Sequence, residues 1–149
     1  AQEDILFWLR YNTIVINNRY VESNLAYQGA RFFERRKVIW NYILGIELEE
    51  FKIKPSDIVI LIDLPAEESL EAMKRQQRKL DSNEEDLEYQ KKVRECYLEL
   101  AQINHESWEV IDCLAEDRRT RKSIEKLSEE IFERVIKRLP KIDYVNFNR

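Results

Sequence analysis

Glycine is nearly absent: Gly29 and Gly45 are the only two in 149 residues. A phosphate loop of the form G-x-x-x-x-G-K-[ST] needs two glycines close together, so none lies within these residues. Cysteine is as sparse, with Cys96 and Cys113 at no metal-ligand spacing and a single histidine, His105, to help them. That argues against a zinc site and for buried, reduced thiols in a cytoplasmic protein. His105 sits in a polar loop with no nucleophile beside it in sequence and is given no role. No apolar run reaches the ~18 residues a membrane span requires, and no signal-peptide pattern opens the chain. A positive surplus is missing too. The net charge of −4 argues against a broad nucleic-acid footprint, which needs excess Lys and Arg to neutralise phosphates.

What is present suits one folded domain. Hydrophobic residues make up 44% and charged residues 36%, enough for a core inside a charged shell. Leu6, Phe7-Trp8 and Leu9 suggest a short amphipathic helix ending near Asn12. Continuous apolar runs at Thr13–Asn17, Asp57–Asp63 and Trp108–Asp112 read as strands, the first two buried on both faces. Apolar residues at helical spacing predict helices over about 31–51, from Pro65 to about Arg78, around Tyr89–Leu100, and from a Ser123 cap to Pro140. Alternating strands and helices imply an α/β fold with a parallel sheet, whose ligands bind beyond the carboxyl ends of the strands.

Just past the first such end comes INNRYVESNLAYQGA, Ile16 to Ala30. Arg19 there can grip a phosphate through two parallel hydrogen bonds, or pair with a carboxylate. Asn17 to Gly29 reads as a loop leading into a helix; if it turns helical, Asn24 and Tyr27 or Gln28 share a face at i, i+3 and i+4. Amides can read a base edge and a tyrosine ring can test a sugar; helix capping and core packing are the plainer readings. Lys74, Arg75, Arg78 and Lys79 form a basic cluster before the polar stretch Lys79–Asp86. Such cations suit either a closing lid over phosphoryl oxygens or a solvated helix face.

Three stretches together resemble the thymidylate kinase family. NRYVESNLAYQG (18–29) is similar to its D-R-Y-x-x-S-x-x-A-Y-Q-G segment. KPSDIVILIDLPAEESLEAMKR (54–75) is similar to its P-D-L-x-x-x-L-D-x-P-x-x-x-A-x-x-R segment. KLDSNEEDLEYQKKVRECYLELA (79–101) resembles its lid and following helix. The resemblance implies a three-layer P-loop kinase-like fold in a single domain over 1–149, with a mobile lid around 74–86. It implies transfer of ATP's γ-phosphoryl group to dTMP, with Mg²⁺ carried between the nucleotides, in a cytoplasmic homodimer. Arg19 would hold the acceptor phosphate, Asn24 would meet the thymine edge, and Tyr27 would lie against the deoxyribose. Ser23 and Gln28 would complete that pocket, and Arg75 and Arg78 would be lid cations. The dimer face suggested is the one bearing Trp40 and Tyr42, which an intramolecular core explains equally well.

The chain departs from the family pattern in three ways. The family's aspartate before the arginine is Asn18 here, and the arginine expected after the lid aspartate is Ser82. The phosphate loop, its strand and its helix are missing from these residues. In the family that strand lies between the strands matching Thr13–Asn17 and Asp57–Asp63. Two apolar strands are therefore expected to face a slot with unpaired N–H and C=O groups. The expectation is that the chain is the C-terminal portion of a longer kinase, or that a second segment supplies the strand. The alternatives are a catalytically silent nucleotide-binding or interaction module and a kinase for another deoxynucleoside monophosphate.

Overall fold

The computed structural model describes residues 2–11, 13–75, 86–117 and 120–139, without the side chains of 73–75. Six α-helices and two strands make up the frame among the described residues. α1 spans Gln2–Leu9. α2 spans Val21–Arg31 and buries Val21, Leu25, Ala26, Gly29 and Ala30. Small side chains at Ala26, Gly29 and Ala30 let neighbouring helices come close. α3 spans Arg36–Leu44 after a 3-10 turn, and continues as a π-helical segment, Gly45–Glu50. β1 (Val59–Asp63) is followed by α4 (Ala66–Arg75) and, later, α5 (Leu87–Ile103). Asp86 caps α5 by accepting from the Tyr89 N–H. β2 is Trp108–Asp112, and α6, Ile124–Arg138, starts at a Ser123 cap that accepts from the Lys126 N–H.

β1 and β2 pair in parallel, in register from Val59↔Trp108 to Asp63↔Asp112. A parallel pair needs a long crossover, here carried by α4 and α5. Successive strand residues point to opposite faces. Trp108 packs into the core of α2, α3 and α5 with Val59 and Leu61. Its neighbour Glu109 instead meets Arg134 and Arg138 of α6. Helices thus cover both faces of the sheet, giving the three layers. The core is built from Leu25, Trp40, Val93, Cys96 and Leu100, among others. Burial pushes the Cys96 thiol up to about 11, and both cysteines are free and buried.

Three expectations need correction. Thr13–Asn17 joins no ladder among the described residues, and Ile16 is 89% exposed. β-branched composition favours a strand only where a neighbour accepts its backbone bonds, and no described segment lies alongside to do so. The face suggested for dimerisation is divided. Trp40 is only 4% exposed, with its indole Nε1 donating to the Leu25 carbonyl at 2.9 Å, whereas Tyr42 is 68% exposed. Asn17–Gly29 is not a loop throughout: from Val21 it is helix α2, formed because Val21, Leu25, Ala26 and Ala30 bury one face in the core. Residues 76–85, with Arg78 and Ser82, and Pro140 lie outside the described residues. The same holds for most of the expected lid.

Candidate functional site

The backbone bends at Asn18 and Arg19, both exposed. Arg19 has φ 70°, in the left-handed region that costs an L-residue roughly 1–2 kcal/mol. Tyr20 follows in extended conformation and α2 begins at once. This sharp entry turns the Arg19 side chain back over its own helix. Its Cζ lies 5.2 Å from the Tyr27 ring centroid, and its Nη2 donates to the Tyr27 hydroxyl at 3.3 Å. The guanidinium is thus steered by a ring face and a phenol, with no carboxylate partner among the described residues and with further N–H donors for an anion.

Tyr27 belongs to an aromatic cluster. Its ring meets the edges of Tyr89 and Tyr97 at 6.3 and 6.5 Å, separations suited to edge-to-face packing. The Tyr89 hydroxyl donates to the Tyr27 carbonyl at 2.9 Å, and the Tyr97 hydroxyl donates to Ser23 Oγ at 2.8 Å. Burial raises the pKa of both phenols, further above the neutral range in which a tyrosine is protonated in any case. Ser23 is therefore held from α5, 74 residues away. Asn24 stands exposed on α2, its Nδ2 donating to Glu47 Oε1 at 2.6 Å. Gln28 is half-buried, and its carbonyl accepts from the Phe32 N–H at the end of α2.

A cleft of about 230 Å³ opens beyond the carboxyl end of β1, lined by Tyr27, Asp63, Ser69, Gln90, Arg94 and Tyr97 among others. Whole-ligand pockets commonly run ~300–1,000 Å³, so this cleft accommodates a group the size of a phosphate or a ring. Asp63 ends the strand there with its side chain 13% exposed. Arg94 clamps it through two bonds, of 2.6 and 2.7 Å. The pairing raises the Arg94 pKa, and burial opposes that rise.

The structure brings Arg19, Ser23, Asn24 and Tyr27 onto one short stretch of surface. It does not set Arg19, Ser23, Asn24 or Gln28 into the cleft lining, where Tyr27 alone represents them. Arg75 is the last residue of α4. Glu47, Asp63, Arg94, Tyr89 and Tyr97 were not foreseen as site residues. The position of Asp63 at a strand's carboxyl end was a usable signal. Nothing in sequence links Asp63 to Arg94 across 31 residues, or Asn24 to Glu47 across 23.

Parallel strands with helices on both faces, and a cleft at a strand's carboxyl end, define an α/β domain. The thymidylate kinase family profile matches residues 2–137, which makes the domain P-loop kinase-like, and the chain belongs to that family. It is 41% identical over 96 residues to a probable thymidylate kinase of Thermococcus kodakarensis, covering 64% of this chain and 42% of the relative. It is 40% identical over 102 residues to a probable thymidylate kinase of Archaeoglobus fulgidus, covering 68% and 47%. The thymidylate kinase of Caldanaerobacter subterraneus subsp. tengcongensis is 34% identical over 139 residues, 87% of this chain and 60% of that protein. The chain spans about half the length of the relatives it matches. Among the described residues, no helix is long and apolar enough to cross a membrane.

Proposed function

We propose that this chain is the acceptor-binding part of a thymidylate kinase. In the reaction an oxygen of the dTMP phosphate attacks the γ-phosphorus of MgATP, the bond to the β-phosphate oxygen breaks, and dTDP and ADP leave. The observation that carries the proposal is Arg19, held in a left-handed conformation over the Tyr27 ring. A strained arginine at the mouth of a helix is retained where its guanidinium has work to do. Arg19 grips the acceptor phosphate, Tyr27 lies against the deoxyribose, and Asn24 meets the thymine edge. Ser23, held by Tyr97, and Gln28 complete the pocket. Arg75 and Arg78 would add cations at the phosphates, Arg78 lying outside the described residues. Alignment and charge neutralisation supply most of the catalysis, because phosphoryl transfer asks little covalent chemistry of the protein.

Magnesium and ATP enter together as substrate. This chain's two glycines offer the donor phosphates no cradle: Gly29 is buried inside α2, and Gly45 lies in the helical run after α3. We propose that a further segment supplies that cradle and a strand beside β1, and that the protein works as a cytoplasmic homodimer. A second reading rests on Asn18. An amide in place of the family's aspartate cannot take a proton and brings no negative charge to the magnesium shell, which favours a silent nucleotide-binding module.

Calorimetry and a coupled assay on the native protein decide between these. The kinase reading expects heat on adding dTMP, loss of that heat in Arg19→Ala, and dTDP formed from ATP. Binding without turnover establishes the silent module, and a large gain in turnover by Asn18→Asp marks the amide as the lesion. Binding unchanged by Arg19→Ala refutes the cradle. A preference for dCMP or dUMP over dTMP assigns another acceptor.

A further inference from the structure

Asn24 and Glu47 form a contact whose chemistry reaches beyond packing. An amide side chain can present either its NH₂ or its carbonyl to a ligand, and the two read opposite base edges. At 2.6 Å, the Asn24–Glu47 bond has the short length of a charge-assisted hydrogen bond. An ionised carboxylate only accepts, so the branch facing Glu47 must be Nδ2. The other branch, Oδ1, is what Asn24 offers outward from an exposed position on α2.

We infer that Glu47 is a positioning residue that locks the Asn24 amide with its carbonyl outward, so that the site selects pyrimidines carrying an N3–H. This rests on the proposed dTMP site and adds to it the origin of base selectivity. Thymine and uracil carry a hydrogen at N3 and donate to Oδ1. Cytosine has a bare N3 lone pair, which would meet the carbonyl oxygen and be repelled.

The fold places Glu47 for this purpose. After α3 the helix widens to i→i+5 bonding, with the Phe51 N–H donating to the Ile46 carbonyl at 2.9 Å. Widening by one residue rotates the following side chains relative to an α-helix. The Ile53 N–H then donates to the Glu47 carbonyl at 2.9 Å and anchors its backbone. The nearby Tyr20 hydroxyl is directed elsewhere, to the Lys54 carbonyl at 3.0 Å.

The test is calorimetric titration of the native protein and its Glu47→Gln and Glu47→Ala variants with dTMP, dCMP and UMP. Wild type should prefer dTMP to dCMP. Glutamine offers both a donor and an acceptor, so the amide is free to turn. The dTMP-to-dCMP preference should fall by about tenfold or more, the scale of one misdirected hydrogen bond. The preference against UMP, which rests on Tyr27, should stay. Equal weakening of all three ligands identifies a merely structural Glu47 and overturns the inference, while Arg19-dependent dTMP binding keeps the acceptor site intact. Wild type that binds no pyrimidine nucleotide removes both readings. One measurement needs no variant: the two Asn24 Nδ2 protons should resonate well apart in the NMR spectrum, one shifted downfield by the carboxylate. Two resonances at ordinary exposed-amide positions overturn the lock.

Discussion

Adding one methyl group at Gly29 tests the packing behind the site. Two effects of opposite sign compete. Alanine is a better helix former than glycine by up to about 1 kcal/mol, which by itself stabilises α2. Against this, an added Cβ would lie 2.4 Å from Trp40 Nε1, 3.1 Å from its Cε2 and 3.3 Å from Cys96 Sγ. The indole ring is rigid and buried, and its N–H is committed to the Leu25 carbonyl. It must move, and the neighbouring Cys96 is itself fully buried. Overpacking costs about 1–3 kcal/mol, and weakening the indole hydrogen bond adds about 0.5–1.5 kcal/mol. The clash wins, leaving Gly29→Ala less stable by roughly 1–3 kcal/mol after the propensity gain is subtracted. Urea unfolding of the native protein, followed by tryptophan fluorescence and far-UV circular dichroism, measures this. In a Trp40→Phe background the nearest atom is gone and the penalty should largely vanish, a coupling expected of touching residues. A Gly29→Ala variant that is more stable than wild type, or equally damaged in both backgrounds, would refute the reasoning.

Two further predictions follow from single residues. Arg19→Gly relieves a positive φ while loosening the unfolded chain, so stability should change by less than about 1 kcal/mol. Its dTMP affinity should nonetheless fall roughly tenfold to a hundredfold, the value of a charge-assisted bond; intact affinity or a collapsed fold contradicts the assignment. Glu109, 14% exposed, has its pKa lowered chiefly by the hydrogen bond from Arg138, and further by Arg134. Its contribution is present above the unfolded carboxylate value of about 4.3 and is lost as pH falls through the lower folded value. Glu109→Gln should flatten that acid-side loss in denaturation midpoints taken from pH 7 to 3, and an unchanged slope counts against the pairing.

Much of the frame was legible because local pattern and tertiary environment agreed. Trp108–Asp112 is a strand with the expected bounds, and Val59–Asp63 falls within the expected Asp57–Asp63. The Ser123 cap and the helices around Tyr89–Leu100 and after Pro65 also appear where periodicity put them. Thr13–Asn17 shows the limit of that logic. Its composition is as β-prone as that of β1, yet a strand exists only as half of a pair. Trp40 shows another limit. Helical spacing marked it as apolar, but its place in the core depends on how closely Gly29 lets α3 approach α2.

The chain's own residues determined the alternation of strands and helices, the run from Asn18 to Gln28, and the family to which it belongs. These are properties of neighbours in sequence, set by side-chain periodicity and local backbone preference. Only the tertiary structure decided that Arg94 clamps Asp63, that Tyr97 holds Ser23, and that Glu47 faces Asn24. Those pairs lie 23 to 74 residues apart. Their geometry follows from helix packing and from the widened turn after α3, neither of which is encoded in any short window of sequence.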